Sequence, residues 1–348
     1  MRAAYYEKNG AARDVLTVAE VDTPKPGPGE VRVKLRTSGV NPSDVKAREG
    51  RTRKLSYPRV IPHSDGAGDI DMVGDGVAAS RKGERVWIWN GQWKRPFGTC
   101  AEYIVLPSAL ASALPASANY EAGACLGIPA MTAYHAVAVA QVGKGSKVLI
   151  TGGAGGVGHY AIQFAKARGA TVLTTVSSEA KAALARQAGA DHAINYQRDN
   201  VGERVMAASG KTGVDAVIEM DLAANAKLYP AVLRPRGHIV VYGTGSAEAT
   251  IPAQPSLVNA VKIEFVYVYE LTAPEREATV SAINRMLENK TLINNVALTL
   301  PLSDIAAAHE AVEGGKIMGN VVVTLEHSPL NMPGGISCFV CSPSRALS

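Results

Sequence analysis

Cysteine is scarce in this sequence, and nothing at its start resembles an export signal. Only four cysteines occur among 348 residues, and Cys100 and Cys125 stand alone in the sequence, which suits a reducing cytosol. Cys338 and Cys341 form a C-x-x-C pair, but they lie in a Ser-, Pro- and Gly-rich stretch without the strand–helix junction that a redox motif needs. The first seven residues lack the apolar core of a secretory signal. We therefore expect a cytoplasmic protein.

Charge of one sign is not concentrated enough to indicate a nucleic-acid-binding protein. The chain has 36 basic and 31 acidic residues, a formal net charge of +5, and most of them are scattered. The segment 46–54, which holds five Lys and Arg residues, is an exception. We predict a solvated loop there, with two alternatives: a basic rim that attracts cofactor phosphates, or a nucleic-acid patch. The absence of interleaved aromatic residues weakens the second alternative.

A long run of Leu, Ile and Phe is also missing. The longest stretch without Asp, Glu, Lys or Arg, residues 122–143, is long enough to raise the question of a membrane span. It is rich in Ala and Gly, however, and contains Thr132, His135 and Gln141. We therefore predict a helix buried inside an α/β protein.

The chain is long enough for two domains, and its residue pattern changes at about residue 121. Apolar residues make up 47% and charged residues 19%, as in ordinary globular proteins. Residues 1–121 show the alternation and turns of β-strands, whereas apolar strands and Ala-rich helices then alternate, which predicts an α/β protein with a doubly wound parallel sheet. The predicted strands are 31–35, 83–88, 147–151, 171–177, 193–195, 214–220, 237–243 and 321–325, and the predicted helices are 160–168 and 179–188. Residues 327–348 are predicted to be a poorly ordered tail.

A glycine turn stands between the strand predicted at 147–151 and the helix that follows it. Its six residues are Gly153, Ala154, Gly155, Gly156, Val157 and Gly158. Glycines in a G-x-G-x-x-G arrangement let the chain turn tightly and let the backbone approach a pyrophosphate. The helix N-terminus then offers free N–H groups to the phosphates. The turn predicts a dinucleotide site.

The end of the second strand favours NADPH over NADH. NAD-binding units usually place Asp or Glu there, where the carboxylate accepts a hydrogen bond from the ribose 2′-hydroxyl. This chain has Ser177 and Ser178 instead, with Lys181 a helical turn later and Tyr196 after the third strand. These residues could form a 2′-phosphate pocket. Glu179 argues against it, unless its side chain points to solvent from the start of the helix.

Several ordered blocks together resemble the medium-chain dehydrogenase/reductase superfamily, and most closely its zeta-crystallin-like quinone oxidoreductases. The matching segments are 39–42, 98–103, 127–134, the glycine turn and 214–220. The resemblance implies a GroES-like, β-rich substrate domain, residues 1–121 and 295–326, split around a Rossmann NADPH-binding domain, residues 122–294. It also implies an active site in the cleft between them, and a homodimer or homotetramer.

The resemblance further implies that the catalytic zinc of the alcohol dehydrogenase branch is absent. Its three ligand positions fall on Asn41, Ser64 and Ile128, which cannot form a zinc site of nitrogen and sulfur donors. The structural zinc needs four clustered cysteines, and the matching region has only Cys100. His63 could be a proton donor, but a surface or hydrogen-bonded histidine is the favoured interpretation.

Without zinc the acceptor must already be electrophilic. The resemblance therefore implies NADPH:quinone oxidoreduction, with a 2-alkenal or enone reductase as the alternative. A non-enzymatic, crystallin-like protein that binds NADPH or RNA is the alternative from another class. Asn41 is the catalytic candidate, beside the nicotinamide. The other positions carried over to the cofactor site are Lys46 (a tyrosine in zeta-crystallins), Thr132, Asn225, Tyr242, Gly243, Thr244, Val266, Tyr267, Val268 and Gly319. For Val266 and Val268, plain strand core is an equal alternative.

Overall fold

A computed structural model describes residues 1–52 and 54–325. The predicted tail and the pair Cys338–Cys341 lie outside the described residues. The strands are β1 (Arg2–Tyr5), β2 (Thr17–Glu20), β3 (Glu30–Val40), β4 (Asp65–Val73), β5 (Arg85–Ile88), β6 (Tyr103–Pro107), β7 (Ala111–Ala113), β8 (Lys147–Ile150), β9 (Thr171–Val176), β10 (His192–Asn195), β11 (Val214–Glu219), β12 (Leu233–Val241), β13 (Lys262–Phe265), β14 (Val296–Pro301) and β15 (Asn320–Thr324).

Helices pack against the strands of both sheets. The α-helices are α1 (Ala12–Val15), α2 (Pro42–Glu49), α3 (Tyr120–Gly123), α4 (Met131–Val139), α5 (Gly156–Ala167), α6 (Glu179–Gln187), α7 (Val201–Ala208), α8 (Leu222–Asn225), α9 (Tyr229–Val232), α10 (Ala253–Val258), α11 (Ala273–Glu288) and α12 (Ile305–Glu313). In the described ranges, no helix combines the length and apolar character that a membrane crossing requires.

The middle of the chain builds a six-stranded parallel sheet in the order β10-β9-β8-β11-β12-β13. From β8 the chain adds β9 and β10 on one side, then crosses over to β11 on the other. Ligands bind such sheets beyond the carboxyl ends of the strands at this reversal. The glycine turn follows β8, so it lies at the reversal. The predicted doubly wound sheet is confirmed.

The two ends of the chain share a second, largely antiparallel sheet. Its order is β14-β15-β3-β4-β5-β7, with β6 also paired to β3. Strand β15 pairs antiparallel with β3, so the last strands complete a sheet that the first residues begin. The predicted architecture, a β-rich part and a parallel-sheet part, is confirmed. We propose residues 1–121 and 295–326 for the β-rich domain and 122–294 for the other, because this sheet draws on both ends of the chain.

Two local predictions are wrong or incomplete. The solvated loop predicted at 46–54 is helical in its first half, because Asn41 at the N-cap and Pro42 at the first helical position begin α2. Within it, Arg48 is fully buried and its guanidinium bonds Glu313. The charge-free stretch 122–143 is largely buried as predicted, but a π-helical segment containing Pro129 separates α3 from α4.

Candidate active site

The glycine turn joins β8 to α5 in a conformation that only glycine allows at two positions. A Cβ on Gly158 would lie under 3.0 Å from the Gly152 carbonyl oxygen, and a Cβ on Gly153 would collide with the Thr174 hydroxyl. Gly152 itself has a φ of 69°. These residues hold the start of α5 against the strand ends. Packing alone therefore explains two of the predicted glycines.

Gly155 has a different surrounding, which fits a phosphate. A Cβ there would meet only the Gly152 carbonyl oxygen, at 3.3 Å, so the outer side of the turn is open. Gly155 is the N-cap of α5 and provides no capping side chain. The first amides of Gly156 and Val157 thus have no helical partner. An exposed helix N-terminus without a cap suits a dinucleotide pyrophosphate, with Ala154 buried behind it.

The last strand reaches back to the glycine turn through a residue that the sequence did not single out. A Cβ on Gly156 would lie 2.5 Å from Oδ1 of Asn320. Asn320 donates its Nδ2 to the Asn295 carbonyl oxygen and is 8% exposed. Gly319, a predicted site residue, precedes it with a φ of 136°. The predicted cofactor site is therefore bounded on one side by the β-rich part of the chain.

The residues predicted for a 2′-phosphate meet at the carboxyl ends of β9 and β10. Lys181 donates its ammonium to the Ser177 hydroxyl at 2.9 Å, and Ser178 caps α6. Tyr196 follows β10, and its side chain is largely exposed. Glu179 instead bonds Arg186 and is exposed, so the interpretation that it points to solvent is correct. Ser177, Ser178 and Lys181 make this place hydroxyl-rich and cationic.

A buried carboxylate organises the strand ends on the other side of β8. Glu219, at the end of β11, is fully buried. It accepts hydrogen bonds from the Thr151 hydroxyl at 2.9 Å and from Nδ2 of Asn225 at 2.9 Å. Its backbone carbonyl accepts from the amide of Tyr242 at 3.0 Å. The sequence marked Asn225 and Tyr242 but missed Glu219, which holds both, because a Glu that ends a strand carries no local signal.

The candidate catalytic amide is held by a second buried carboxylate. Asn41 is 5% exposed and donates Nδ2 to Asp65 at 2.8 Å. Asp65 also accepts from the amide of Ile128 at 2.9 Å. Burial raises the pKa of Asp65 well above its usual range, while the bonds from Ile128 and Asn41 oppose the shift. An amide, rather than a charged group, is thus fixed at the start of α2.

Two side chains of α2 reach across to the parallel-sheet part. Lys46 donates its ammonium to the Thr244 carbonyl oxygen at 3.2 Å. One turn earlier, Ser43 shares a hydrogen bond of 2.9 Å with the Tyr269 hydroxyl. These contacts close one side of a cleft between α2 and the loop after β12. Both predicted residues of this contact, Lys46 and Thr244, come together.

The segment after β13 lines the same cleft. Val266 lies just beyond the strand and Val268 begins a short 3₁₀ helix, so neither belongs to a strand. Val268 is nevertheless buried in the hydrophobic core and Val266 packs against it, so the core alternative is right except for the strand. Tyr267 is 54% exposed and forms an edge-to-face contact with Trp93, their ring centroids 5.5 Å apart. The sequence missed Trp93.

The two remaining predicted residues are less accessible. Thr132 is buried in the first turn of α4, at 6% exposure. Gly243 lies so close to the Met220 carbonyl oxygen that a Cβ would come under 3.0 Å from it. Close packing alone therefore explains why position 243 is a glycine.

Comparison with known proteins agrees with this geometry. The family model of the alcohol dehydrogenase GroES-like domain matches residues 27–116, and that of the zinc-binding dehydrogenases matches 156–286. The quinone oxidoreductase of Rattus norvegicus is 32% identical over 93% of this chain and 98% of its own length. This chain belongs to the medium-chain dehydrogenase/reductase superfamily, as a zeta-crystallin-like quinone oxidoreductase homologue.

Two further relatives bear on the chemistry. A 2-haloacrylate reductase of a Burkholderia species is 30% identical over 93% of this chain and 98% of its own length. A mycobacterial structure complexed with NADPH is 28% identical, with a TM-score of 0.84 over 93% of this chain and all of that one. The match covers both parts of the fold.

At the zinc-ligand positions of this superfamily, this chain has three residues that lie around Asp65. Asn41 and Ile128 both bond Asp65, and Ser64 is buried beside them. Within the described ranges, no three His, Cys, Asp or Glu side chains cluster as a metal site would require. An amide, a hydroxyl and an alkyl side chain are poor zinc donors.

His63 is hydrogen-bonded, as the favoured interpretation holds. It is fully buried, its Nδ1 lies 2.8 Å from the Ser38 hydroxyl and its Nε2 lies 2.9 Å from Nε2 of His309. Burial lowers the pKa of His63 to about 3. The pair lies within the β-rich core, so His63 is placed as a structural residue of this family member.

Proposed function

We propose that this protein is a zinc-independent NADPH:quinone oxidoreductase. The observation that carries the proposal is a complete dinucleotide turn that faces a cleft in which an amide, Asn41, stands at a metal-ligand position. The 32% identity to the rat quinone oxidoreductase supports the same activity. Without a Lewis acid the acceptor must be electrophilic in itself, as a quinone is.

Reduction of a quinone to a hydroquinone requires one hydride and one proton. NADPH supplies a hydride from its nicotinamide, and a quinone that takes it up gains one proton from water to become the hydroquinone. Asn41 donates one amide hydrogen to Asp65 and retains a second one on Nδ2. We propose that this second hydrogen bonds the acceptor carbonyl and stabilises its developing negative charge. Asp65 is then a positioning residue.

We propose that Ser177, Lys181 and Tyr196 bind the 2′-phosphate that distinguishes NADPH from NADH. The ammonium of Lys181 and the Ser177 hydroxyl are already in contact, so the site is preorganised for an anion. The mycobacterial relative that is solved with NADPH supports this choice.

The activity is tested by following NADPH absorbance with 1,4-benzoquinone, 9,10-phenanthrenequinone and a 2-alkenal in parallel. Oxidation with the quinones supports the proposal. Preference for the 2-alkenal would favour the second candidate, an enone reductase, which the 2-haloacrylate reductase of Burkholderia also supports. NADPH binding without oxidation by any acceptor would refute both and favour a non-enzymatic binding protein.

We also propose a homodimer formed through the edge of the parallel sheet, with a homotetramer as the larger alternative. Among the strands of residues 1–52 and 54–325, β13 is paired only to β12, and Phe265 on it is 68% exposed. Leu257 and Val258 beside it are 81% and 76% exposed. An unpaired edge next to exposed apolar side chains is suited to pairing with a second copy.

Light scattering after gel filtration tests the assembly. The natural chain should elute as a dimer or tetramer, and Phe265→Glu should shift it to a smaller species. Because Phe265 is exposed, the variant should keep its folded circular dichroism spectrum. A natural chain that is monomeric at micromolar concentration would refute the proposal.

A cytoplasmic location is likewise proposed, since Cys100 and Cys125 are buried free thiols.

A further inference from the structure

One face of α2 is directed at the cleft where the acceptor is proposed to bind. Ser43 and Lys46 are three residues apart, so their side chains lie on the same face of the helix, about 5–6 Å apart. Ser43 bonds Tyr269 and Lys46 bonds Thr244, both in the parallel-sheet part. The ammonium of Lys46 is therefore directed at the parallel-sheet part of the chain.

Lys46 differs from Arg48 and Arg51 in lacking a counter-ion. Arg48 pairs with Glu313 and Arg51 with Glu49. For Lys46, no carboxylate among residues 1–52 and 54–325 lies within ion-pair distance, and its hydrogen bond goes to a neutral carbonyl. An ammonium has three hydrogens to donate. Two remain for a ligand, in a place that is only partly exposed to water.

The cofactor phosphates are not placed to supply that counter-ion. They are proposed to bind the glycine turn after β8, whereas Thr244 follows β12, and β11 lies between these strands. Neighbouring strands are about 4.8 Å apart, so the two positions are separated by roughly 10 Å across the sheet. Lys46 is thus nearer the nicotinamide end of the cleft, where the acceptor reacts.

A cluster of three aromatic side chains stands one helical turn away from Lys46. Tyr269, which bonds Ser43, packs on Trp93 with ring centroids 4.6 Å apart. Tyr267 adds its ring to the same group, 5.1 Å from Tyr269. A planar acceptor can stack on an exposed ring of this cluster, and the ring of Tyr267 is 54% exposed. The cleft therefore combines an aromatic face with an unpaired cation.

We propose that Lys46 binds an acidic substituent of the acceptor, and that the natural substrate is a quinone or enone carrying a carboxylate. This inference rests on the proposed reductase activity. Lys46 is then a specificity-determining residue, since a charge-assisted hydrogen bond is stronger than a neutral one. Neutral acceptors remain substrates, because stacking and hydride transfer do not require the acid group.

Matched pairs of acceptors test the inference. The enone pair is trans-4-oxo-2-pentenoate and its methyl ester; the quinone pair is 1,2-naphthoquinone-4-sulfonate and 1,2-naphthoquinone. Lys46→Met should lower the ratio of kcat/KM for the anion over its neutral partner by roughly 10- to 100-fold. Lys46→Arg should restore most of it. Lys82→Met removes an exposed cation from a turn of the β-rich part and should leave the ratio within about 2-fold.

An equilibrium measurement separates binding from chemistry. By calorimetry, 4-oxopentanoate, the reduced acid, should bind the NADP⁺ complex of the natural chain and bind that of Lys46→Met at least about 10-fold more weakly. An unchanged anion-to-neutral ratio, or an equal loss for both partners together with weaker NADPH binding, would overturn the inference and assign Lys46 to the cofactor. No NADPH oxidation with any of the four compounds would refute the reductase itself and this inference with it.

Discussion

The contact between Lys181 and Ser177 makes Ser177→Asp a sharp test of the proposed 2′-phosphate site. The two polar atoms are 2.9 Å apart, so an aspartate would pair with Lys181 and put a negative charge where the phosphate is proposed to bind. Two unit charges 4 Å apart interact by about 1 kcal/mol in water and about 4 kcal/mol at an effective dielectric constant near 20. Since Tyr196 beside them is 54% exposed, the interaction energy should lie near the lower value, the one for water. We expect a loss of about 1–2 kcal/mol, or about 5- to 30-fold weaker NADPH binding.

The assay is a pair of fluorescence titrations that give the Kd of NADPH and of NADH. NADH should bind as well as before or better, because the new carboxylate can accept from the ribose 2′-hydroxyl. Glu179→Gln is the matched control: its side chain bonds Arg186 at the surface, so neither Kd should change by more than about 2-fold. Equal weakening of both cofactors by Ser177→Asp would show that Ser177 does not border the 2′-phosphate.

The remaining predictions concern the turn and the buried histidine. Gly158→Ala should destabilise the fold by about 1–3 kcal/mol because its Cβ would collide with the Gly152 carbonyl. Gly155→Ala should instead remain folded and lose NADPH affinity; urea unfolding and cofactor titration distinguish the two, and the reverse pattern contradicts the assignment. Because the pKa of His63 is lowered to about 3, the unfolded chain binds a proton that the folded one does not as the pH falls below about 6.5, so stability decreases there. His63→Asn should reduce the loss of unfolding free energy between pH 7 and pH 5.5 by about 1 kcal/mol, and an unchanged slope would contradict the buried, neutral histidine.

The parts of the site that depend on local chemistry were predictable from the sequence. The glycine turn was recognisable because it stands between a strand and a helix, and its backbone geometry demands glycine. The contact of Ser177 with Lys181 follows from a spacing of four residues at the start of a helix. Family resemblance added Asn41 and the partners Lys46 and Thr244, which are far apart in the chain.

The parts that depend on long-range packing were not predictable. Nothing near Asn320 indicates that it lies against the glycine turn, since β15 reaches it through a different sheet. Glu219 is recognisable only through Thr151 and Asn225, which bond it from other elements. The helix α2 was missed because its basic residues suggested a solvated loop, whereas Arg48 is buried by a partner, Glu313, from the far end of the chain.

The pairing of β15 with β3 has a consequence for the order in which the chain can be built. During synthesis, β3 emerges long before β15, and until then the edge of β3 at residues 37–40 has no strand beside it. The parallel sheet, whose strands all lie between Lys147 and Phe265, is complete earlier. We therefore expect the parallel sheet to fold during synthesis, whereas the β-rich sheet can be completed only after β15 has left the ribosome. Interrupted translation products that stop before Val296 should then depend on chaperones, because an open strand edge invites aggregation.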